Sequence, residues 1–155
     1  MTFAFDTSSF RSLGSIYPDV FKAFWAQFDS ATAAGEIIST REVMQELLRQ
    51  DSDHVLAWAK KNSAIFTIPT AAETAFVGRI LAVGHFQQII GTKQRLNGTP
   101  VADPFIIARA AVAGGTVITE ERLRPNAARI PNVCQHFAVP WSNLEGFLKA
   151  KNWSY

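Results

Sequence analysis

Six acids in the sequence hold positions from which they could do chemistry: Asp6, Glu42, Glu46, Asp103, Glu120 and Glu121. Asp6 closes the apolar run Phe3-Ala4-Phe5, and Glu120-Glu121 follow Thr116-Val117-Ile118-Thr119. Read as buried strands, both runs put their acids at carboxyl ends, the edge where open α/β sheets bind ligands. Glu42 and Glu46 share one helix face, and Asp103 stands before Pro104 at a predicted helix start. Carboxylates gathered at one edge repel each other and imply a bound cation. An oxygen-only set suits Mg²⁺ or Mn²⁺ better than zinc. Each acid also has a plainer role open to it. Asp6 and Asp103 could cap helices, Glu120 and Glu121 could favour a helix dipole, and Glu42 and Glu46 could be solvated.

Other reactive side chains offer less. Cys134 is the single cysteine, which excludes an intramolecular disulfide framework and a cysteine-based zinc cluster. Cys134 and His136 read as structural, and His54 and His85 as incidental. Trp25 and Trp58 lie on apolar helix faces and read as core. The glycines, Gly114-Gly115 included, make neither a dinucleotide fingerprint nor a phosphate loop.

Short strands alternating with helices must position the acids. The pattern predicts a strand over 2–6 and a helix over 19–34 with Val20, Phe21, Phe24, Trp25 and Phe28 on its apolar face. A strand over 36–38 leads into a helix capped by Ser39 or Thr40 and containing Val43, Met44, Leu47 and Leu48. A helix over 51–62, an extended segment over 65–68 and a helical stretch over 70–91 follow, the last interrupted in pattern by Gly78 and Gly84. After an exposed loop over 91–100 come a helix over 102–113, a strand over 116–118 and a short helix within 130–137. A strand over 139–141 and a helix over 143–152 complete the chain. This is an α/β pattern with a mainly parallel central sheet flanked by helices.

At 155 residues, with 48% hydrophobic and 18% charged residues, the chain reads as one domain over 1–155, not a disordered tail. It lacks an apolar run of roughly 18 residues, so no membrane span is expected. The start Met1-Thr2-Phe3-Ala4-Phe5-Asp6 is unlike a signal peptide. A reduced, cytoplasmic setting is the expectation.

Four local contexts carry a resemblance: Phe5-Asp6-Thr7-Ser8, Val43-Met44-Gln45-Glu46-Leu47, Ala102-Asp103-Pro104-Phe105-Ile106-Ile107-Ala108 and Val117-Ile118-Thr119-Glu120-Glu121. In that order they resemble the four acidic motifs of the PIN-domain ribonucleases, the fold of VapC-type toxins, over roughly residues 2–148. The segment from Ile130 to Leu148 further resembles a PIN-like branch found in prokaryotes. The resemblance implies a PIN-like domain in which Asp6, Glu46, Asp103 and Glu121 are catalytic, metal-binding carboxylates. Ser8 would orient Asp6, Thr119 would be the accompanying hydroxyl, and Glu42 and Glu120 would be accessory. Two departures stand out: the fourth acid is Glu rather than Asp, and Leu123 replaces a further acid.

That reading implies hydrolysis of an RNA phosphodiester with Mg²⁺ or Mn²⁺, by the toxin of a toxin–antitoxin pair. A protein antitoxin encoded nearby and a homodimer are the partners it implies. Committing four acids to metal leaves nine against fifteen basic residues, a balance suited to a polyanion. Arg41, Arg49, Lys93, Arg95, Arg109, Arg122 and Arg124 are the candidate phosphate contacts. A PIN-like module that binds RNA or protein without cleaving is the rival reading. A phosphoaspartate phosphatase is disfavoured because Ser8 stands where a second Asp is needed.

Overall fold

The computed structural model describes residues 1–49, 53–90 and 101–155. The expected loop over 91–100, with Lys93 and Arg95, lies outside them, as does the start at Asp51 of the helix expected over 51–62. Five short strands form one sheet: β1 (Phe3–Phe5), β2 (Ile37–Thr40), β3 (Phe66–Thr67), β4 (Thr116–Ile118) and β5 (Trp141–Ser142). The order is β3-β2-β1-β4-β5, and every pairing is parallel. All carboxyl ends therefore share one edge. The chain builds outward from β1 to β3, then crosses back to lay β4 on the other flank of β1. That reversal between β1 and β4 is a topological switch point, where open sheets leave a crevice for ligands.

Helices α1 (Thr7–Ser12), α2 (Lys22–Ala33), α3 (Arg41–Leu48) and α4 (His54–Lys61) belong to the first half. Helices α5 (Ala71–Ala82), α6 (Ala102–Ala113), α7 (Ile130–His136) and α8 (Leu144–Ala150) belong to the second. β1 is buried on both its faces, so it reads as a continuous apolar run. Phe5 packs edge-on against Phe28 and Phe147, at 5.5 and 5.1 Å between ring centroids. Phe10 and Trp58 extend this aromatic core. Trp25 and Trp58 are buried as expected, and their indole N–H groups donate to Ile16 O at 2.7 Å and Asp29 Oδ1 at 2.8 Å.

Several boundaries differ from the sequence reading. Pro18 opens a turn rather than a helix: Phe21 N–H bonds back to Tyr17 O at 2.8 Å, and α2 starts at Lys22. Val20 and Phe21 consequently lie on the surface, 70% and 40% exposed, because helical spacing was extended through residues that never join the helix. β2 runs on through Ser39 and Thr40, and Thr40 then caps α3 by accepting from Val43 N–H. Leu48 on α3 is half-exposed. The 70–91 stretch divides at Val83 into α5 and a 3₁₀ segment, Gly84–Ile89, whereas Gly78 stays within α5. β5 begins two residues later than expected, at Trp141. Helix α6 runs Ala102–Ala113, as its pattern indicates, and ends where Gly114 takes the left-handed conformation at φ 67°.

Gly115 holds β4 against β1. A Cβ there would stand 2.7 Å from Thr2 O, the carbonyl that accepts from Thr116 N–H at 2.9 Å. Gly78 instead has open space around it. Gly115→Ala is expected to destabilise the fold by about 1–3 kcal/mol, whereas Gly78→Ala should stabilise it by roughly 0.5–1 kcal/mol. Urea midpoints of the two variants check this; a neutral Gly115→Ala would show that β1 yields easily at its start.

Candidate metal centre

Asp6 leaves β1 directly into α1 and acts as its cap, its Oδ1 accepting from Ser9 N–H at 2.7 Å. Ser8 Oγ lies 2.8 and 2.9 Å from the two Asp6 oxygens. From β4, Thr119 Oγ1 donates to Asp6 Oδ2 at 2.6 Å, a bond across the switch point. The capping role and the site position thus coincide in one side chain. Burial pushes the Asp6 carboxyl up to about 6, although the Thr119, Ser9 and Ser8 bonds pull the other way.

Glu46 ties three segments together. Thr7 Oγ1 of α1 donates to its Oε1 at 2.5 Å, and Ala102 N–H at the start of α6 donates to its Oε2 at 3.2 Å. Asp103 follows in the first turn of α6, whose cap position is Val101, without a side-chain capping bond. Asp103 is therefore not a capping residue. Its carboxyl is held well above the usual range by burial first, then by the charges of Glu121, Asp6 and Glu46. Among the described residues it has no hydrogen bond or ion pair to offset them. Glu121 is placed from both sides: its N–H donates to Thr119 Oγ1 at 3.1 Å, and its Oε2 accepts from Ile130 N–H at 2.9 Å.

The structure thus brings Asp6, Glu46, Asp103 and Glu121 to one place, with Ser8 and Thr119 bonded into it. The other two acids point elsewhere. Glu42 is buried, with one oxygen paired to Arg41 at 2.8 Å and the other without a hydrogen-bond partner among the described residues. Glu120 turns its carboxylate to Leu144 N–H at 2.8 Å, at the start of α8. Among the candidate phosphate contacts, Arg109 faces the buried Glu73 at 3.5 Å and Arg41 is taken by Glu42. Neither is free for a polyanion, a consequence of pairings remote in sequence or a single residue apart. Arg122 and Arg124 are exposed.

Cys134 is fully buried, its thiol pushed up to about 12 by burial first and then by Glu121 and Asp6. It is a neutral core group, as the sequence suggests. His54 and His85 approach backbone carbonyls of Leu13 and Ala127, and His136 packs on Phe86 and Phe137. The positioning roles of Thr7 and of the Ala102 and Ile130 amides were not read from sequence. Thr7 stands inside the Asp-Thr-Ser motif, but its partner is 39 positions away; backbone donors leave no residue-type signal.

The donor set is all oxygen, and Asp103 is an uncompensated acid facing three others. In donor type and charge, though not in spacing, both features suit a hard divalent cation. Among the described residues, no three His, Cys, Asp or Glu side chains stand as a group able to hold a metal ion. The acids are close enough for Glu121, Asp6 and Glu46 to raise the Asp103 carboxyl, without standing in shared coordination.

This arrangement sets a pH dependence in the metal-free protein. Asp6, at about 6, and Asp103, raised above 3.8, hold protons more tightly folded than unfolded. The native state then binds more protons than the unfolded chain across that window, so stability falls as pH rises through it. In EDTA, the thermal midpoint should be higher near pH 5 than near pH 7.5, and Asp6→Asn should flatten the difference. A midpoint that climbs over this interval would contradict the assignment.

The family model described as Domain of unknown function (DUF4411) matches residues 3–155. No curated protein matches the chain. A similar solved structure is the crystal structure of VapBC2 from Rickettsia felis bound to a DNA fragment from their promoter. The two are 13% identical with a TM-score of 0.48, over 92% of this chain and 98% of that chain.

Proposed function

The chain belongs to the DUF4411 family, and we propose that it is a metal-dependent endoribonuclease of PIN-like type. The observation that supports this reading is the convergence of Asp6, Glu46, Asp103 and Glu121 at the β1/β4 switch point: Thr119 Oγ1 donates to Asp6 and accepts from Glu121 N–H, and Ala102 N–H, next to Asp103, donates to Glu46. Asp6, Glu46, Asp103 and Glu121 would hold Mg²⁺ or Mn²⁺. When bound, the cation supplies Lewis-acid polarisation of a phosphoryl oxygen and acidifies water. The chain itself fixes the donors. Thr119 and Ser8 orient Asp6, Thr7 and Ala102 N–H orient Glu46, and Ile130 N–H orients Glu121. Exposed Arg122 and Arg124 supply positive charge for the RNA backbone.

Among the described residues no helix is long and apolar enough to cross a membrane. The motif resemblance supports a role as a toxin, with a protein antitoxin and a homodimer as partners, in the cytoplasm. The hydrogen bonds already occupying Asp6 and Glu46 favour a second reading, a module that binds RNA or protein without cleaving. Purified protein incubated with structured RNA decides between them. Cleavage is expected with Mg²⁺ or Mn²⁺ and should stop with EDTA; intact RNA under all conditions would favour the binding module.

A further inference from the structure

Next to the acids, the carboxyl edge opens into a pocket of about 330 Å³, at the small end of ligand sites. Thr119 and Glu121 belong to both the acid cluster and this pocket, which Arg122, Leu123, Trp141 and Asn143 also line. Trp141 lies opposite Val117 in the parallel register. Its side chain therefore shares a sheet face with Thr119, two residues on from Val117.

Trp141 differs from the core tryptophans. It is 36% exposed, and among the described residues no acceptor takes its indole N–H. Leu123 beside it is 45% exposed. Arg122 has no carboxylate partner among the described residues. The frame around them is fixed: Asn143 Oδ1 accepts from Gly146 N–H, and Glu120 accepts from Leu144 N–H. An aromatic face and a free guanidinium thus stand on rigid backbone at the mouth of the acid cluster.

We propose that this pocket is a base-binding subsite for single-stranded RNA. An unpaired base stacks on the Trp141 indole while Arg122 contacts an adjoining phosphate, which presents the neighbouring phosphodiester to the acids. The inference rests on the ribonuclease reading for its substrate. Single-stranded RNA is characteristically held by stacking of splayed bases on aromatic rings and by basic side chains on the backbone. Continuity with Thr119 and Glu121, together with the positive Arg122, favours RNA over a protein partner.

The test is binding of fluorescein-labelled short oligouridylate and oligoadenylate to the full chain in EDTA, read by anisotropy. Trp141→Ala should weaken affinity by about 5- to 150-fold, the range of one base–aromatic stack, and Trp141→Phe should keep most of it. In the unmodified protein, moving one abasic nucleotide along the oligomer should reproduce the loss at a single position. That loss should vanish in the Trp141→Ala background. Equal affinity in wild type and a folded Trp141→Ala, or an abasic series without a sensitive position, overturns the subsite. Should Mg²⁺-dependent cleavage persist in that case, the ribonuclease reading stands alone. Oligomer bound through Trp141 but never cut supports the subsite and removes the ribonuclease. Release of a copurifying protein by Trp141→Ala, with RNA binding intact, overturns it in favour of a protein dock.

Discussion

Asp103→Asn is expected to cost more than ~100-fold in single-turnover RNA cleavage, beyond the loss typical of residues that only support a metal ligand. The same change should raise the thermal midpoint of the metal-free protein. Both effects have one cause. Asp103 is buried beside Glu121, Asp6 and Glu46, and nothing among the described residues offsets its charge. Asparagine keeps the shape and removes the repulsion, so the fold should gain while the proposed metal site loses a donor. Each kcal/mol gained is worth about 2–4 °C in a chain of this size. Activity that collapses while the midpoint rises is the signature of a site held against stability. A variant that loses both would show instead that Asp103 supports the fold. Full cleavage by the folded variant would remove Asp103 from the chemistry.

How much of this was legible in the sequence depends on the kind of signal. α6 could be read to its ends because Pro104 and Gly114 punctuate it and its interior is apolar. β1 and β4 could be read because both are short apolar runs flanked by polar residues. The placement of Asp6 and Glu121 at one edge follows from those strands being parallel neighbours. The start of α2 was not legible: Val20 and Phe21 keep helical spacing, yet a turn after Pro18 holds them outside the helix. Arg109 gave no hint of its tie to Glu73, since α5 and α6 pack through a pairing 36 positions apart in sequence. Trp141 ends an expected strand but carries no site signal, because an isolated tryptophan in so short a strand has no periodicity; only its register against β4 shows which face it shares.

The two glutamates of α3 give the last and sharpest comparison. Spacing alone puts Glu42 and Glu46 on one face, and the motif Glu46-Leu47 chooses Glu46. The hydrogen bonds separate the two glutamates by place. Glu46 receives Thr7 from α1 and the Ala102 amide from α6, the two elements that carry Asp6 and Asp103. Glu42 is paired to Arg41 on its own helix and is not among the charges that bear on Asp103. Glu46→Gln should therefore weaken Mn²⁺ binding and slow single-turnover cleavage by more than ~100-fold, because a carboxylate donor is lost. Its amide oxygen can still accept from Ala102 N–H, so the fold should survive. Glu42→Gln should leave metal titration unchanged and lower cleavage by no more than the ~10–100-fold typical of supporting residues. Its main effect should be on stability, since the change breaks a charge pair and leaves a buried polar group to find a partner. If Glu42→Gln is the more damaging to metal binding, the ligand lies one helical turn earlier on α3, and the bonds to Glu46 serve only to join α1, α3 and α6. If neither substitution shifts the titration, α3 supplies no ligand and drops out of the proposed donor set.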